Sequence, residues 1–368
     1  MSNSRAVSLS WEGKDRGSAA PAPVPGRSAG RSWTAADGSG ALLQGDNLAW
    51  LRCLAAGDSG HSGPVTLAYL DPPFFTNREH AAYLRKAGTR PGSPRTKVPA
   101  FDDRWPDLAS WLEALGARLS AVRDLLAPYG SVVVHVDPKT SHYVRVLGDE
   151  IFGADAFASE IVWRYRRWPS KTPNFQRVHD VLLRWRRSLD AVPRWNQSYE
   201  PLAASTLATW GTGKQRAVFT KEGRRARSSS TSETSAGVPM GDVWDIGVLA
   251  PISRERTGYP SQKPEALLER LIAALSDPGD RVLDPYAGSG TTLAAARALG
   301  RVYVGIDSSD VAIDTIKARL GPFEAHDAAP LPAGAHSGAT LKKAKPADEA
   351  GETVCGELTR SAAIAGRR

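Results

Sequence analysis

The sequence feature that most constrains the fold lies near residue 290, where a strand, a glycine-rich turn, a helix and a second strand follow one another. The turn reads Asp284-Pro285-Tyr286-Ala287-Gly288-Ser289-Gly290-Thr291-Thr292, and the spacing after it predicts a helix from Leu293 to Leu299. Asp307 ends the next strand, 17 residues beyond Gly290, with Ser308 beside it. Glycines in such a turn let the backbone approach a ligand at the positive end of a helix, and the acid can accept from both hydroxyls of a ribose. The unit therefore predicts an α/β fold with a nucleoside site.

This turn differs from the two common nucleotide loops. A phosphate-binding loop would need Gly-Lys-Ser or Gly-Lys-Thr at its end, and a dinucleotide fingerprint would need a third glycine where Leu293 stands. The predicted site binds a nucleoside without requiring phosphates. S-adenosylmethionine is a ligand of that kind.

A second feature places a carboxylate at the end of another strand. The apolar run Val65–Leu70 predicts a buried strand, and Pro72 and Pro73 stop it directly after Asp71. Asp71 and a proline carbonyl can accept hydrogen bonds from an exocyclic amine while Phe74 stacks on the ring, a combination used by enzymes that act on extruded bases. The alternative is that Asp-Pro begins an ordinary turn and that the phenylalanine belongs to the core.

Asp71-Pro72-Pro73-Phe74 resembles the catalytic motif of the DNA amino-methyltransferases, which move a methyl group from S-adenosylmethionine to a base amine. The turn at 284–292 resembles the cofactor loop of that family, with Tyr286 where Phe is more usual. The catalytic motif comes first, a basic region next and the cofactor loop last, so the chain resembles the permuted beta group over residues 40–320.

This resemblance implies an α/β fold: a doubly wound, mostly parallel, seven-stranded Rossmann-like methyltransferase sheet, circularly permuted, with an inserted target-recognition region. It also implies a division of the chain into five parts. These are a disordered arm at 1–38, a catalytic half at 39–163, a basic target-recognition region at 164–240, a cofactor-binding half at 241–320 and a disordered tail at 321–368.

Two further cofactor contacts are implied by the resemblance. Asp46 matches the acid that faces the adenine of the cofactor, although it can equally cap the helix that begins near Leu48. Gln262-Lys263-Pro264 resembles a cofactor-side motif, although Pro264 can simply start the helix whose apolar face follows it. No metal site is expected, because the two cysteines lie far apart and the seven histidines are scattered.

The net charge of +8 is concentrated in one part of the chain. Residues 161–227 hold fifteen Lys or Arg against four acidic residues, a charge of +11, so the remainder carries −3. Aromatic residues are interleaved with these cations, as in modules that bind polyanions. We therefore predict contacts to double-stranded DNA, the alternative being a solvated basic face. The candidate DNA contacts are Phe75, Arg164, Arg166, Arg167, Lys171 and Arg177.

Between the two site motifs the pattern is less specific. The stretch from Phe75 to Pro99 is basic and rich in Gly and Pro, which predicts a loop beside the catalytic motif that could close over DNA. The β-branched run at 131–136 predicts a buried strand, and His135 within it is expected to belong to the core. Two more strands are expected at 161–164 and 180–185, joined by a basic loop.

The resulting functional hypothesis is methylation of the N6 amine of adenine in double-stranded DNA, with S-adenosylmethionine as the cofactor. N4-cytosine methylation, a catalytically inert DNA-binding protein on the same fold, and methylation of RNA or of a protein amide are the alternatives. The absence of a Pro-Cys nucleophile argues against carbon-5 methylation. A homodimer and a cognate restriction endonuclease are partners that the resemblance suggests. Without an apolar run of membrane length or a signal peptide, the chain is expected in the cytoplasm.

Overall fold

The computed structural model describes residues 7–12, 14, 30–57, 60–84, 94–169, 171, 173–214, 218–226 and 233–326. The strands are β1 (Arg31–Ala35), β2 (Gly40–Gln44), β3 (Val65–Leu70), β4 (Glu79–Leu84), β5 (Thr96–Asp102), β6 (Leu126–Val136), β7 (Phe157–Arg164), β8 (His179–Arg186), β9 (Tyr199–Glu200), β10 (Val218–Phe219), β11 (Arg225–Ala226), β12 (Val238–Pro239), β13 (Val243–Asp245), β14 (Arg281–Asp284), β15 (Val302–Asp307) and β16 (Phe323–His326). The helices are α1 (Asn47–Ala56), α2 (Leu108–Leu125), α3 (Ser141–Phe152), α4 (Ala204–Trp210), α5 (Glu265–Leu275), α6 (Thr291–Ala298) and α7 (Asp310–Leu320).

Ten strands form the central sheet in the order β13-β7-β8-β6-β3-β14-β15-β2-β1-β16. Neighbours from β6 to β2 are parallel, whereas β8 is antiparallel to both β6 and β7. The predicted α/β class with a mostly parallel sheet is confirmed, but the number of strands is larger than seven. The stretch from β7 to β2 contains seven strands, and β13 extends one edge while β1 and β16 extend the other.

Helices cover both faces of the sheet. Helices α1, α2 and α3 pack on one face through Trp50, Trp111 and Leu147, and α5, α6 and α7 supply Leu271, Leu293 and Ile316 to the other. Strand β3 is buried along its whole length and sends alternate side chains to the two cores, as expected for a central parallel strand. None of the helices among the described residues is long and apolar enough to cross a membrane.

The connections place a crevice between β3 and β14. After β3 the chain continues through α2 to β6 on one side, and after β14 it continues through α6 to β15 on the other. The two loops therefore diverge where the adjacent strands end, which opens the sheet edge to a ligand. Asp71 follows β3 and Asp284 ends β14, so residues from distant parts of the sequence meet at this edge.

Three predicted irregular regions contain regular structure. In the arm predicted at 1–38, β1 pairs with β2 and with β16, and β16 lies in the predicted tail. The stretch predicted as a loop up to Pro99 contains the antiparallel hairpin of β4 and β5. A distant segment of the chain also stabilises this hairpin, because the backbone N–H of Tyr83 donates to the carbonyl of Gly258 at 2.9 Å. Residues 7–12 and 14 of the predicted arm are also held on the domain, since Trp11 packs against the core and its Nε1 donates to Glu113 at 2.8 Å. The predicted disorder of residues 1–6, 13, 15–29 and 327–368 lies outside the described residues.

Candidate active site

A cavity of about 470 Å³ lies at the crevice between β3 and β14. Most of the predicted catalytic and cofactor residues line it: Asp46, Asp71, Pro72, Pro73, Phe74, Gln262, Lys263, Asp284, Pro285, Tyr286, Ala287, Gly288, Ser289, Thr291, Thr292, Asp307 and Ser308. Pro264, Gly290 and Phe75 lie outside its lining. The fold therefore brings the two site motifs into one cavity, as their positions at strand ends require.

Asp71 lines this cavity and has one carboxylate oxygen without a hydrogen-bond partner among the described residues. Its Oδ2 accepts from the Nζ atom of Lys263 at 2.5 Å, in an ion pair that is mostly buried. Its Oδ1 is buried and accepts no hydrogen bond from the described residues. An unpaired buried acceptor costs stability, so its presence at a cavity wall indicates a position where a ligand donor completes the bond.

The proline corner is held in place by an indole. Trp111 Nε1 donates to the carbonyl oxygen of Pro73 at 2.8 Å, whereas the carbonyl of Pro72 has no donor among the described residues. Phe74 is half-buried, and Lys263 Nζ lies 5.0 Å from the centre of its ring. The corner thus offers Asp71 Oδ1 and the Pro72 carbonyl as acceptors beside an aromatic face.

Asp103 fixes the backbone after the corner. Its carboxylate accepts from the backbone N–H groups of Phe75 and Thr76 and from the indole of Trp105. The ring of Phe75 turns toward Trp111, with their centroids 6.3 Å apart, and packs against the core. Phe75 is also partly exposed, so its contact with DNA stays a prediction.

His135 is fully buried, as predicted, but it also contacts Asp71. Its Nδ1 lies 2.7 Å from the hydroxyl of Tyr69 and 3.8 Å from Asp71 Oδ1, and its Nε2 lies 3.3 Å from Asp180. Burial raises the pKa of the Tyr69 hydroxyl well above its ordinary value, so that hydroxyl keeps its proton in its hydrogen bond with the ring. The imidazole therefore links Asp71 to the basic region at β8.

The glycine turn is closed by Asp307. The backbone N–H of Gly288 donates to Asp307 Oδ2 at 2.8 Å, and that of Ser309 donates to Oδ1 at 2.9 Å. Gly288 and Gly290 have φ angles of 50° and 74°, in the left-handed region that side chains disfavour. A Cβ atom on Gly290 would lie 2.8 Å from Ile316, so this glycine is required for packing behind the turn.

Asp284 is a further carboxyl group in the lining of the cavity. It is 2% exposed, and its Oδ1 accepts from the backbone N–H of Tyr286 at 2.9 Å. Burial raises the pKa of Asp284 to about 7, with a further contribution from the charges of Asp71 and Asp307. Burial likewise raises the pKa of Asp307 above its ordinary value. Six aspartates line the cavity against the cations Lys263 and Arg118, and this excess of acid favours a ligand that carries positive charge.

Asp46 and Gln262-Lys263-Pro264 each had two interpretations, a structural role in the loop or helix and a position at the cofactor site. Asp46 Oδ1 accepts from Ala49 N at the start of α1, and its Oδ2 pairs with Arg118 at 3.0 Å. The Gln262 amide donates to the carbonyl of Glu255 and accepts from Thr257, so it closes its own loop. Lys263 is directed at Asp71, and Pro264 is the N-cap of α5. These segments therefore cap helices and also line the cavity.

The predicted basic contacts fall into two groups. Arg164 pairs with Asp245 through two hydrogen bonds of 2.5 Å, and Arg177 pairs with Asp137 at 2.8 Å. Arg166, Arg167 and Lys171 are exposed and form no ion pair with the described residues. The second group therefore retains its charge for a polyanion.

Several cavity residues were absent from the sequence prediction. Tyr259, Trp105, Trp111 and Arg118 line the cavity, as do His80 and Phe101 of the β4–β5 hairpin. The Gly-Tyr-Pro that precedes Gln262 was a usable signal for Tyr259, because an aromatic residue there borders a predicted site motif. Nothing local distinguished Arg118 from other helical cations. Among the described residues, no group of three or more His, Cys, Asp or Glu side chains could hold a metal ion.

Comparison with known proteins gives a consistent result. A family model described as DNA methylase matches residues 65–318. The Type II methyltransferase M.EcaI of Enterobacter cloacae is 26% identical over 304 residues, which cover 69% of this chain and 64% of that protein. The DNA adenine methyltransferase YhdJ of Escherichia coli strain K12 is 54% identical over 67 residues, 18% of this chain and 23% of that protein. This chain thus spans less than two thirds of the length of either relative.

One solved structure shares the fold. The PvuII DNA methyltransferase, described as cytosine-N4-specific, superposes with a TM-score of 0.50 over 80% of this chain and 91% of its own, at 16% identity.

Proposed function

Because the chain belongs to the family of DNA methylases whose model it matches over residues 65–318, we propose that it transfers a methyl group from S-adenosylmethionine to the N6 amine of an extruded adenine in double-stranded DNA. The observation that carries this proposal is the buried, unpaired Oδ1 of Asp71 at the wall of a nucleoside-sized cavity. In a protein that only binds DNA, an unpaired buried acceptor at this position would lower stability without serving a reaction.

The residues around the glycine turn fit S-adenosylmethionine. Gly288 leaves room beside Tyr259, where a Cβ atom would lie 3.3 Å from the ring, and Asp307 stands at the adjoining strand end. Asp284, Asp307 and Asp71 supply the negative charge that a sulfonium and an ammonium group require. The cofactor supplies an activated methyl group, so the protein needs no covalent nucleophile.

The residues of this chain then have to hold the base and orient its amine. Lys263 holds Asp71 Oδ2, which leaves Oδ1 and the Pro72 carbonyl to accept the two hydrogens of the base amine. This pair of acceptors directs the nitrogen lone pair away from the corner and stabilises positive charge that develops on the nitrogen. Phe74 stacks on the base, and the cavity walls hold its amine in position for the methyl group.

The identity of the methylated base is the direct test. DNA from a host that expresses the protein is digested to nucleosides and examined by mass spectrometry, and N6-methyladenine is the expected product. N4-methylcytosine would correct the base and retain the reaction, because Asp71 and the Pro72 carbonyl would hold either amine. The absence of both methylated nucleosides, from DNA incubated with purified protein and cofactor, would refute the proposal.

Cofactor affinity is expected to depend on pH through Asp284. A carboxyl group with a pKa of about 7 is half protonated at neutral pH. A bound cation lowers that pKa, so binding releases a proton below pH 7. Affinity therefore rises with pH by up to about tenfold per pH unit below 7 and levels off above 7. Calorimetry from pH 6 to 8 measures this slope.

Two controls separate this effect from general pH dependence. Asp284→Asn keeps an acceptor for the N–H of Tyr286 and should give a flat profile. S-adenosylhomocysteine lacks the sulfonium charge and should give a shallower one. Equal slopes for wild type and Asp284→Asn would contradict the assignment.

DNA affinity is expected to fall steeply with salt, and exposed arginines should set part of the slope. Replacing Arg166 and Arg167 by alanine should make the log–log slope shallower by about 0.9 for each phosphate that the variant no longer neutralises. Arg164→Ala is the matched control, because the charge of Arg164 is already balanced by Asp245. A salt titration of duplex binding decides this, and identical slopes for all three proteins would mean that the arginines do not contact phosphate.

We further propose that the protein acts in the cytoplasm as part of a restriction-modification system, as the Type II name of the M.EcaI relative suggests. A homodimer and a cognate restriction endonuclease are the proposed partners. Gel filtration with light scattering tests the dimer, and expression of neighbouring genes with and without the methyltransferase tests the endonuclease.

A further inference from the structure

A second cavity, of about 530 Å³, opens beside the active site. Asp137 follows β6, Tyr165 follows β7, and Asp180 lies at the start of antiparallel β8, so all three stand at the same sheet edge as Asp71. Strands β3 and β8 are separated by β6 alone, which places the two cavities roughly 10 Å apart. The buried ring of His135 lies between Asp71 and Asp180, at 3.8 Å from the first carboxylate and 3.3 Å from the second.

The walls of this cavity combine a buried ring with two exposed ones. Tyr165 is 5% exposed, and its hydroxyl donates to Asp180 at 2.9 Å. Trp168 and Phe175 line the same cavity and are 91% and 99% exposed. The amide of Gln176 donates to the carbonyl of Trp168 at 2.7 Å and holds the two sides of the loop together. Rings that stay in water without packing partners indicate a surface that a ligand covers.

The charge at this cavity indicates the class of ligand. The guanidinium of Arg167 lies 5.1 Å from the centre of the Tyr165 ring and donates to its hydroxyl, and Lys139 borders the opening. Arg166 is exposed next to Arg167. Cations beside stacking surfaces are the features that bind a nucleotide through its phosphate and its base.

We propose that this cavity binds a second unstacked nucleobase of the DNA, held against Trp168 and Phe175 while the target base occupies the catalytic cavity. This inference rests on the proposed function. The second base is either the partner left opposite the extruded target or a neighbour on the target strand, since both lie within one or two nucleotides of the target. The chemistry of recognition, aromatic stacking beside phosphate-binding cations, is the same for both.

The proposal is tested by a thermodynamic cycle in which protein variants and altered DNA duplexes are combined and their binding affinities are measured. The DNA is a duplex with the sequence that the protein methylates. It is used intact or with one abasic site, placed opposite the target base, at either neighbour of the target on its own strand, or six base pairs away as a control. On intact DNA, Trp168→Ala/Phe175→Ala should bind about tenfold more weakly than wild type, the effect of removing one stacking interaction. On the duplex that lacks the captured base, the variant and the wild type should bind equally, and that position identifies the base.

The controls keep the outcomes distinct. Both side chains are exposed, so the variant should fold normally, which circular dichroism checks. Phe219→Ala removes another exposed ring outside the cavity and should change nothing. An equal loss of affinity on every duplex would overturn the inference and indicate a contact with DNA that captures no base. No loss on any duplex would also overturn it and leave the exposed rings for a ligand other than DNA. Failure of the wild type to bind or methylate the intact duplex would instead overturn the proposed function.

Discussion

Replacing Asp71 by alanine or by asparagine is expected to lower the rate of methyl transfer by at least about a thousandfold. Alanine removes the acceptor for the base amine. Asparagine is expected to fail for a different reason, because Lys263 Nζ attracts the amide oxygen and turns the NH₂ group toward the amine. Two donors would then face each other where a donor and an acceptor are needed.

The measurement is the single-turnover rate with a labelled methyl donor, together with calorimetric binding of the cofactor and a duplex-binding titration. Binding should remain within a few fold of wild type, since the glycine turn and the basic surface are unchanged. Asp102→Asn is the matched control, because Asp102 lines the same cavity but pairs with Arg104 at an exposed position. A variant of Asp71 with wild-type rate would remove this carboxylate from the mechanism.

Lys263→Met is expected to reduce both stability and activity. The change leaves the carboxylate of Asp71 in a mostly buried position without its cation, which costs roughly 3 kcal/mol in the free energy of unfolding. Methyl transfer should fall by about a hundredfold, because Asp71 is no longer held with Oδ1 toward the cavity. Lys263→Arg keeps the charge and should reduce both properties less.

The double variant Asp71→Asn/Lys263→Met distinguishes the two effects. Removing both partners of an ion pair leaves no uncompensated charge, so the double variant should regain most of the stability while staying inactive. Urea unfolding monitored by tryptophan fluorescence gives the free energies, and the single-turnover assay gives the rates. Additive decreases of stability in the double variant would show that the two side chains do not interact.

The elements that could be predicted from the sequence are those whose signals are local. β3, β14 and the glycine turn are encoded by short apolar runs that end in prolines or glycines, and both motifs lie at strand ends as expected. The apolar face of α5, with Leu267, Leu268 and Leu271 buried, follows from its helical spacing. Parallel topology then brings the strand ends together without any further information.

The features that escaped prediction depend on contacts between distant residues. Lys263 lies 192 positions from Asp71, and a cofactor-side motif gives no sign that its lysine pairs with the catalytic acid. The β4–β5 hairpin has a weak strand pattern and is supported by the segment near Gly258, far along the chain. Strands β1 and β16 likewise form because each supplies an edge for the other. In such cases tertiary pairing overrides a local composition typical of disorder.

The position of β14 between β3 and β15 has a consequence for biosynthesis. β3 ends at Leu70, yet the strand that covers its free edge begins only at Arg281. At about 5–20 residues per second, roughly 10 to 40 s of translation separate the two. During that interval the nascent chain carries an apolar strand with an open edge, a form prone to aggregate unless a chaperone shields it. The same order keeps Asp71 apart from Lys263 and from the glycine turn until residues 263 and 284–292 have been synthesised, so a shorter nascent chain lacks the cavity on which the proposed function rests.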